Sequence, residues 1–174
     1  MDKEDSVDMQ AIVDSWKANA ERHYKGNFRF LRGLKMKSTG PVDRLAGELH
    51  AEVFSIINCT KCANCCRVVG PLFTDKDVSR VALRLGLDED TFKAKYLKKC
   101  EDEEGWEASS QPCPFLGADN RCAVYDVRPT VCAEYPHTDK KDVASRTHSL
   151  AATTLDCPAA FYIIEEMQAK GRLR

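Results

Sequence analysis

Four cysteines crowd into the stretch Cys59-x2-Cys62-x2-Cys65-Cys66. A thiolate is a soft ligand that suits iron–sulfur clusters, zinc and cuprous copper. An x2 spacing lets the chain turn back so that two sulfurs reach one centre, and repeating it supplies a third. The stretch is too dense in cysteine and too poor in periodicity for a regular element, and a loop folded around a metal is expected. The chain holds nine cysteines, the others being Cys100, Cys113, Cys122, Cys132 and Cys157. Nine is an odd number, and it lies below the roughly 8–10% that marks disulfide scaffolds. The start, Met1-Asp2-Lys3-Glu4-Asp5, is acidic with no apolar core behind it, against a secretory signal or transit peptide. A cytoplasmic setting is expected, where clustered cysteines read as metal ligands or redox groups.

The chain has 174 residues, 26 Lys+Arg and 27 Asp+Glu, for a net charge of −1. No global basic field exists, so neither nucleic acid nor a membrane surface is an expected partner; a protein partner is left open. The longest apolar run, Ala159 to Ile164, is too short to cross a bilayer. Residues 1–40 read as a helical lead-in and 41–174 as a cysteine-cluster metal-binding domain. Met9, Ile12, Val13, Trp16 and Ala20 make one stripe, with Asp5 and Ser6 as candidate caps. Pro41 suits the first turn of a second helix, in which Leu45, Leu49, Val53 and Ile56 share a face.

Thr74 and Asp77 resemble a capping box, Gly86 a helix stop and Asp88 a second cap. A helical hairpin with little obvious chemistry is expected over 74–97. Cys113-Pro114-Phe115-Leu116 and Cys122-Ala123-Val124-Tyr125 suit two short strands joined by 117–121, with another strand around Trp106. Ala160, Ile163, Ile164 and Met167 mark a terminal helix whose basic end includes Lys170, Arg172 and Arg174. The expected fold is mostly α: a small irregular metal-stapled domain of short helices, with one short β-hairpin around the cysteine cluster.

The first three cysteine positions match the bacterial ferredoxin run, whose remote ligand precedes a proline; Cys113-Pro114 and Cys157-Pro158 both offer that pair. Structural zinc sites are usually built from two separated C-x2-C knuckles. One fused triplet followed by solitary cysteines favours a cluster and leaves zinc open. Setting Cys100 aside leaves eight thiols, enough for two four-thiolate sites or one polynuclear site.

Cys59-x2-Cys62-x2-Cys65-Cys66, Cys-Pro-Phe-Leu at 113–116, Cys122-x-Val-Tyr-x2-Arg-Pro-x2-Cys132 and Tyr135-Pro136 together resemble the YkgJ-type CxxCxxCC cysteine-cluster family. The helix start at 73–78 and the junction at 86–88 fit it too. The resemblance covers about residues 42 to 168. It implies a zinc- or iron-chelating or iron–sulfur domain and carries Cys59, Cys62, Cys65, Cys66, Cys113, Cys122 and Cys132 over as chelating candidates. Cys157 fits the family's late cysteine. The family names a chelator, not a reaction.

Lys61, Arg67, Arg121 and Arg128 lie beside the ligands in sequence and are placed to offset thiolate charge, and Arg128-Pro129 fixes the turn presenting Cys132. His137 and His148 are weaker nitrogen candidates. No phosphate loop, dinucleotide fingerprint, zinc-protease motif or nucleophile elbow is present, so no catalytic residue is assigned. The reading is a metal-binding protein holding an iron–sulfur cluster, in redox, sensing or maturation. The alternatives are a zinc-stapled non-catalytic interaction module and a metal carrier, whose labile site would be sought at Cys65-Cys66.

Overall fold

The computed structural model describes residues 9–101 and 104–171. The proposed caps Asp5 and Ser6, the side chain of Met9, the middle of the acidic run at 101–104, and the basic residues Arg172 and Arg174 lie outside them. The chain is mostly helical and divides into two compact units. The first comprises Met1–Cys62 and Pro136–Arg174, the second Ala63–Tyr135. No described helix is long and apolar enough to cross a membrane.

The first unit is built on α1 (Met9–Leu34), α2 (Thr39–Ile56), α3 (Cys59–Cys62), α8 (Thr147–Asp156) and α9 (Pro158–Gly171). The stripe of α1 runs inward through Trp16, Ala20, Leu31 and Leu34. Trp16 packs with Ala20 and Phe161, and its indole N–H donates to the Thr154 carbonyl at 2.8 Å. On α2 the buried face is Ala46, Leu49 and Val53, continued by Ile57, while Ile56 is 48% exposed. Leu49 and Val53 of the expected face are buried, while at its two ends Ala46 and Ile57 take the places of Leu45 and Ile56. The terminal stripe is as expected, with Ala160, Ile163, Ile164 and Met167 all buried.

Helix α8 is not anticipated from the sequence. Its inward face is Thr147, Leu150, Ala151 and Thr154. Two of these four are threonines, so the apolar period is masked. Their buried hydroxyls donate to carbonyls: Thr147 to Ala144 at 3.2 Å, and Thr154 to Ala151 at 2.6 Å. That satisfies groups that would otherwise be costly to bury.

The second unit contains α4 (Asn64–Val68), β1 (Leu72–Phe73), α5 (Asp75–Leu85), α6 (Glu89–Tyr96), β2 (Leu97–Lys99), β3 (Trp106–Ala108) and α7 (Thr130–Glu134). The strands form an antiparallel sheet in the order β1-β3-β2, with Phe73 opposite Trp106 and Leu97 opposite Ala108. The expected strand around Trp106 is thus the central one. The expected hairpin over 113–125 is reduced to a single bridge between Leu116 and Cys122. Phe73, Phe92 and Phe115 form the core with Val78, Val81 and Val124, and Cys113 is buried among them.

The capping box is present. The Thr74 hydroxyl accepts from the Asp77 N–H, while the Asp77 carboxylate accepts from the Thr74 N–H. Gly86 closes α5 in the left-handed region at φ 68°, where a side chain would be strained. Asp88 caps α6 by accepting from the Thr91 N–H at 2.8 Å.

Candidate metal centre

The stretch 59–66 is two short helices rather than a loop. Asn58 starts the first: its side-chain oxygen accepts from the Thr60 N–H at 2.9 Å, and its carbonyl from Lys61 and Cys62. One turn of α3 then separates Cys59 from Cys62, which is what an x2 spacing gives on a helix. Ala63, left-handed at φ 48°, ends that turn, and α4 carries Cys65 and Cys66. The capping Asn58 and the left-handed Ala63 that bound this one-turn helix are not visible as periodicity.

Three thiols gather in the first unit. Cys157 is buried between α8 and α9. Burial pushes its thiol up to about 12, and thiolate charge at Cys59 and Cys62 adds to the shift. Pro158 occupies the first position of α9, where a missing N–H costs nothing. The Ala160 N–H then donates to the Cys157 sulfur at 3.5 Å. The helix terminus thus favours the thiolate that burial disfavours.

Five thiols gather in the second unit. Hydrogen bonding to the Cys65 thiol lowers the Cys66 pKa to about 7; burial opposes the shift and Arg67 assists it. Burial raises Cys113 to about 11, and charges at Cys66 and Cys122 push the same way. Burial also raises Cys122, with Cys66 contributing. Cys132 rises to about 12 through burial, with Cys66, Cys113 and Cys122 adding to it. Cys66, Cys113, Cys122 and Cys132 therefore share one electrostatic neighbourhood.

Backbone bonds hold this neighbourhood together. The Cys113 N–H donates to the Cys66 carbonyl at 2.8 Å, Gly117 N–H to Arg121 at 2.8 Å and Ala123 N–H to Phe115 at 2.8 Å. The sulfurs of Cys113 and Cys122 receive backbone N–H donors from Phe115 and Val124, each two residues on. Such N–H groups stabilise ligating thiolates and tune a bound centre. Arg128 lowers both Cys122 and Cys132 by its charge. It is fixed by donation to the Tyr125 carbonyl at 2.8 Å and lies 4.0 Å over the Tyr125 ring. Arg67 bonds the Asn120 side chain.

Among the described residues, no three His, Cys, Asp or Glu side chains form a preassembled coordination shell. The two sets are thiol neighbourhoods that would need side-chain rotation to close around an ion. Their donor chemistry fits a soft metal, since sulfur dominates each set. Cys100 lies apart, its N–H bonded to Gly105 at 3.3 Å. His148 packs against Phe28, ring centres 4.9 Å apart.

Two residues that the sequence does not mark as part of the site reach it. Asp77 and Arg80, one turn apart on α5, bond the segment that leads into Cys132. Arg80 donates to the carbonyls of Val127 at 3.3 Å and Arg128 at 2.9 Å. Asp77 accepts from the Thr130 N–H and hydroxyl, both at 3.1 Å. The hairpin over 74–97 is thus a support for the site. Asp77 is legible only as a cap, because its second set of partners lies 53 positions away.

Such a density of ordered thiols in a small, mostly helical chain defines a metal-chelating domain. The chain belongs to the CxxCxxCC family, described as a "putative zinc- or iron-chelating domain", whose sequence model matches residues 58–157. No curated protein and no solved structure matches it.

Proposed function

We propose that this is a cytosolic protein that holds an iron–sulfur cluster through buried thiolates, in a redox, sensing or maturation role. One ligand set would be Cys66, Cys113, Cys122 and Cys132, with Cys65 beside Cys66. The other would draw on Cys59, Cys62 and Cys157. The observation that supports this reading is the second unit's thiol neighbourhood, with backbone N–H donors on two sulfurs and Arg128 beside two. Burial and N–H···S bonds are the means by which proteins set cluster potentials.

A bound cluster would supply one-electron chemistry. The chain's own residues receive it. Cys66, whose pKa is lowered by hydrogen bonding to Cys65, offers a sulfur that ionises more readily than Cys113, Cys122 or Cys132. Cys113 and Cys132 hold their protons at neutral pH, so ligation must move those protons to solvent. Arg67 and Arg128 offset the charge that results.

Zinc is the second reading, because Cys66, Cys113, Cys122 and Cys132 would also complete a closed four-thiolate site. The protein would then be a zinc-stapled interaction module or a metal carrier. Anaerobic purification followed by iron, sulfide and zinc analysis, with an absorption spectrum, separates the two. Iron and sulfide in matching amounts, with broad absorption near roughly 400 nm, are expected. Zinc alone selects the second reading. Protein that holds neither, even after reconstitution, overturns both.

A further inference from the structure

We propose that Asp77 and Arg80 form a positioning strut that fixes Cys132 for metal binding. The inference rests on the reading of Cys132 as a ligand. Helix α7, which carries Cys132, has only five residues, and the residue before it, Pro129, makes no side-chain cap. The N–H groups of its first turn therefore need an acceptor from elsewhere. The Asp77 carboxylate supplies it for Thr130.

The two oxygens of Asp77 divide their partners. Oδ2 accepts from the Thr74 N–H at 3.0 Å and the Thr74 hydroxyl at 2.7 Å, which completes the capping box. Oδ1 accepts from Thr130 N–H and Oγ1, both at 3.1 Å, and from Arg80 at 2.6 Å. Capping α5 uses Oδ2 alone; Oδ1 is committed to the Cys132 segment. Arg80 completes the hold through the Val127 and Arg128 carbonyls. Asp77 is 1% exposed, and five donors converge on it. An amide would bring an N–H₂ against donors on one side, so only a carboxylate satisfies both ends.

Asp88 provides an internal control. It caps α6 in the same unit by accepting from the Thr91 N–H at 2.8 Å and the Thr91 hydroxyl at 2.6 Å. Both residues cap a helix, and Asp77 alone of the two also bonds the ligand-bearing segment.

The test is Co²⁺ titration of the full chain, metal-free and anaerobic, read by sulfur-to-cobalt charge-transfer absorption. The variants are Asp77→Asn, Asp88→Asn, Cys132→Ser, Thr130→Ser and Arg80→Lys. Loss of a residue that orients a ligand typically weakens metal binding about 10–100-fold. Asp77→Asn is expected to weaken Co²⁺ binding by that factor and to lower the charge-transfer intensity toward that of Cys132→Ser. Adding Asp77→Asn to Cys132→Ser should cost little more, since both act on one ligand. Thr130→Ser, which keeps both donors, should bind as wild type does, and Asp88→Asn should leave the spectrum unchanged. Arg80 is half-buried, so Arg80→Lys gives a milder version of the same loss if Asp77→Asn fails to fold. Wild-type affinity and spectrum in Asp77→Asn, or in Arg80→Lys where that variant stands in, would overturn the strut. Equal losses in Asp77→Asn and Asp88→Asn would reduce Asp77 to a cap and also overturn it. A Cys132→Ser protein indistinguishable from wild type would overturn the ligand reading and the strut together.

Discussion

Long helices carry the first unit, while strands of two or three residues and helices of one to three turns carry the second. The first unit buries Trp16, Leu31, Leu49, Ile163, Ile164 and Met167, and Cys157 with them. Its other two cysteines lie outside that packing, Cys59 exposed and Cys62 half-buried. In the second unit Cys113 is part of the core itself, and Cys66 and Cys122 pack against it. Units of roughly 70 residues seldom reach useful stability from apolar burial alone and are commonly stapled. The contrast sets an expectation for folding: with a metal held by the proposed thiols, the second unit should depend on it more than the first.

Metal removal should break the symmetry between the units most strongly. A structural tetrathiolate metal is worth about 10–16 kcal/mol to a small fold. Of the chain's two tryptophans, Trp16 lies in the first unit and Trp106 in the second. Trp16→Phe and Trp106→Phe variants therefore give one reporter each. Chelation under reducing conditions should shift Trp106 emission to the red and leave Trp16 emission in place. If both shift at the same chelator concentration, the contrast fails.

Core truncation should be smaller but as selective. Phe92 is fully buried, with ring centres 6.0 Å from Phe73, 6.1 Å from Phe115 and 5.5 Å from Tyr96. Phe92→Ala should cost about 3–5 kcal/mol. The urea midpoint reported by Trp106 should fall, and that reported by Trp16 should hold.

Acid should also separate the units. Burial alone would raise the Asp77 carboxyl, but hydrogen bonds from Thr74, Arg80 and Thr130 outweigh it and hold the pKa below the ordinary 3.8. A depressed folded-state pKa contributes stability that is present above the unfolded value. It is lost as pH falls through the folded value. The second unit should therefore lose stability on acidification below about pH 4, the unfolded Asp value being roughly 3.9. Asp77→Asn should be weaker at neutral pH and flatter in that acid range. Urea titrations at stepped pH, read through Trp106, check this; an unchanged slope in the variant would remove Asp77 from the account.

Local signals were readable and distant ones were not. The capping box at Thr74, the left-handed stop at Gly86 and the cap at Asp88 are each set within about four residues. So is the stripe of the terminal helix. The sheet escapes such reading because its strands are too short to show alternation, and β3 pairs with β1 across more than thirty residues. Helix α8 escapes because threonine fills half of its inward face. The cysteines stand out by spacing and by family resemblance. Which thiol neighbours which depends on the fold, so the grouping of Cys66 with Cys113, Cys122 and Cys132 needs the structure. Asp77 shows both cases in one side chain: Oδ2 closes a local capping box, and Oδ1 bonds a residue far along the chain.

Two glycine substitutions give the smallest effects, and they should have opposite signs in the two units. Gly26 sits exposed within α1, where an added Cβ meets nothing within 4 Å. Alanine there restricts the unfolded chain without strain and should stabilise the first unit by about 0.5–1 kcal/mol. Gly86 also has open space around it, but its φ is +68°. The left-handed region costs an L side chain roughly 1–2 kcal/mol, so Gly86→Ala should destabilise the second unit although nothing is touched. Urea denaturation followed separately through Trp16 and Trp106 would read the midpoint rising in one and falling in the other. A stabilising Gly86→Ala would mean that the end of α5 readjusts to release the strain. That in turn would loosen the case for α5 as the rigid support behind Cys132.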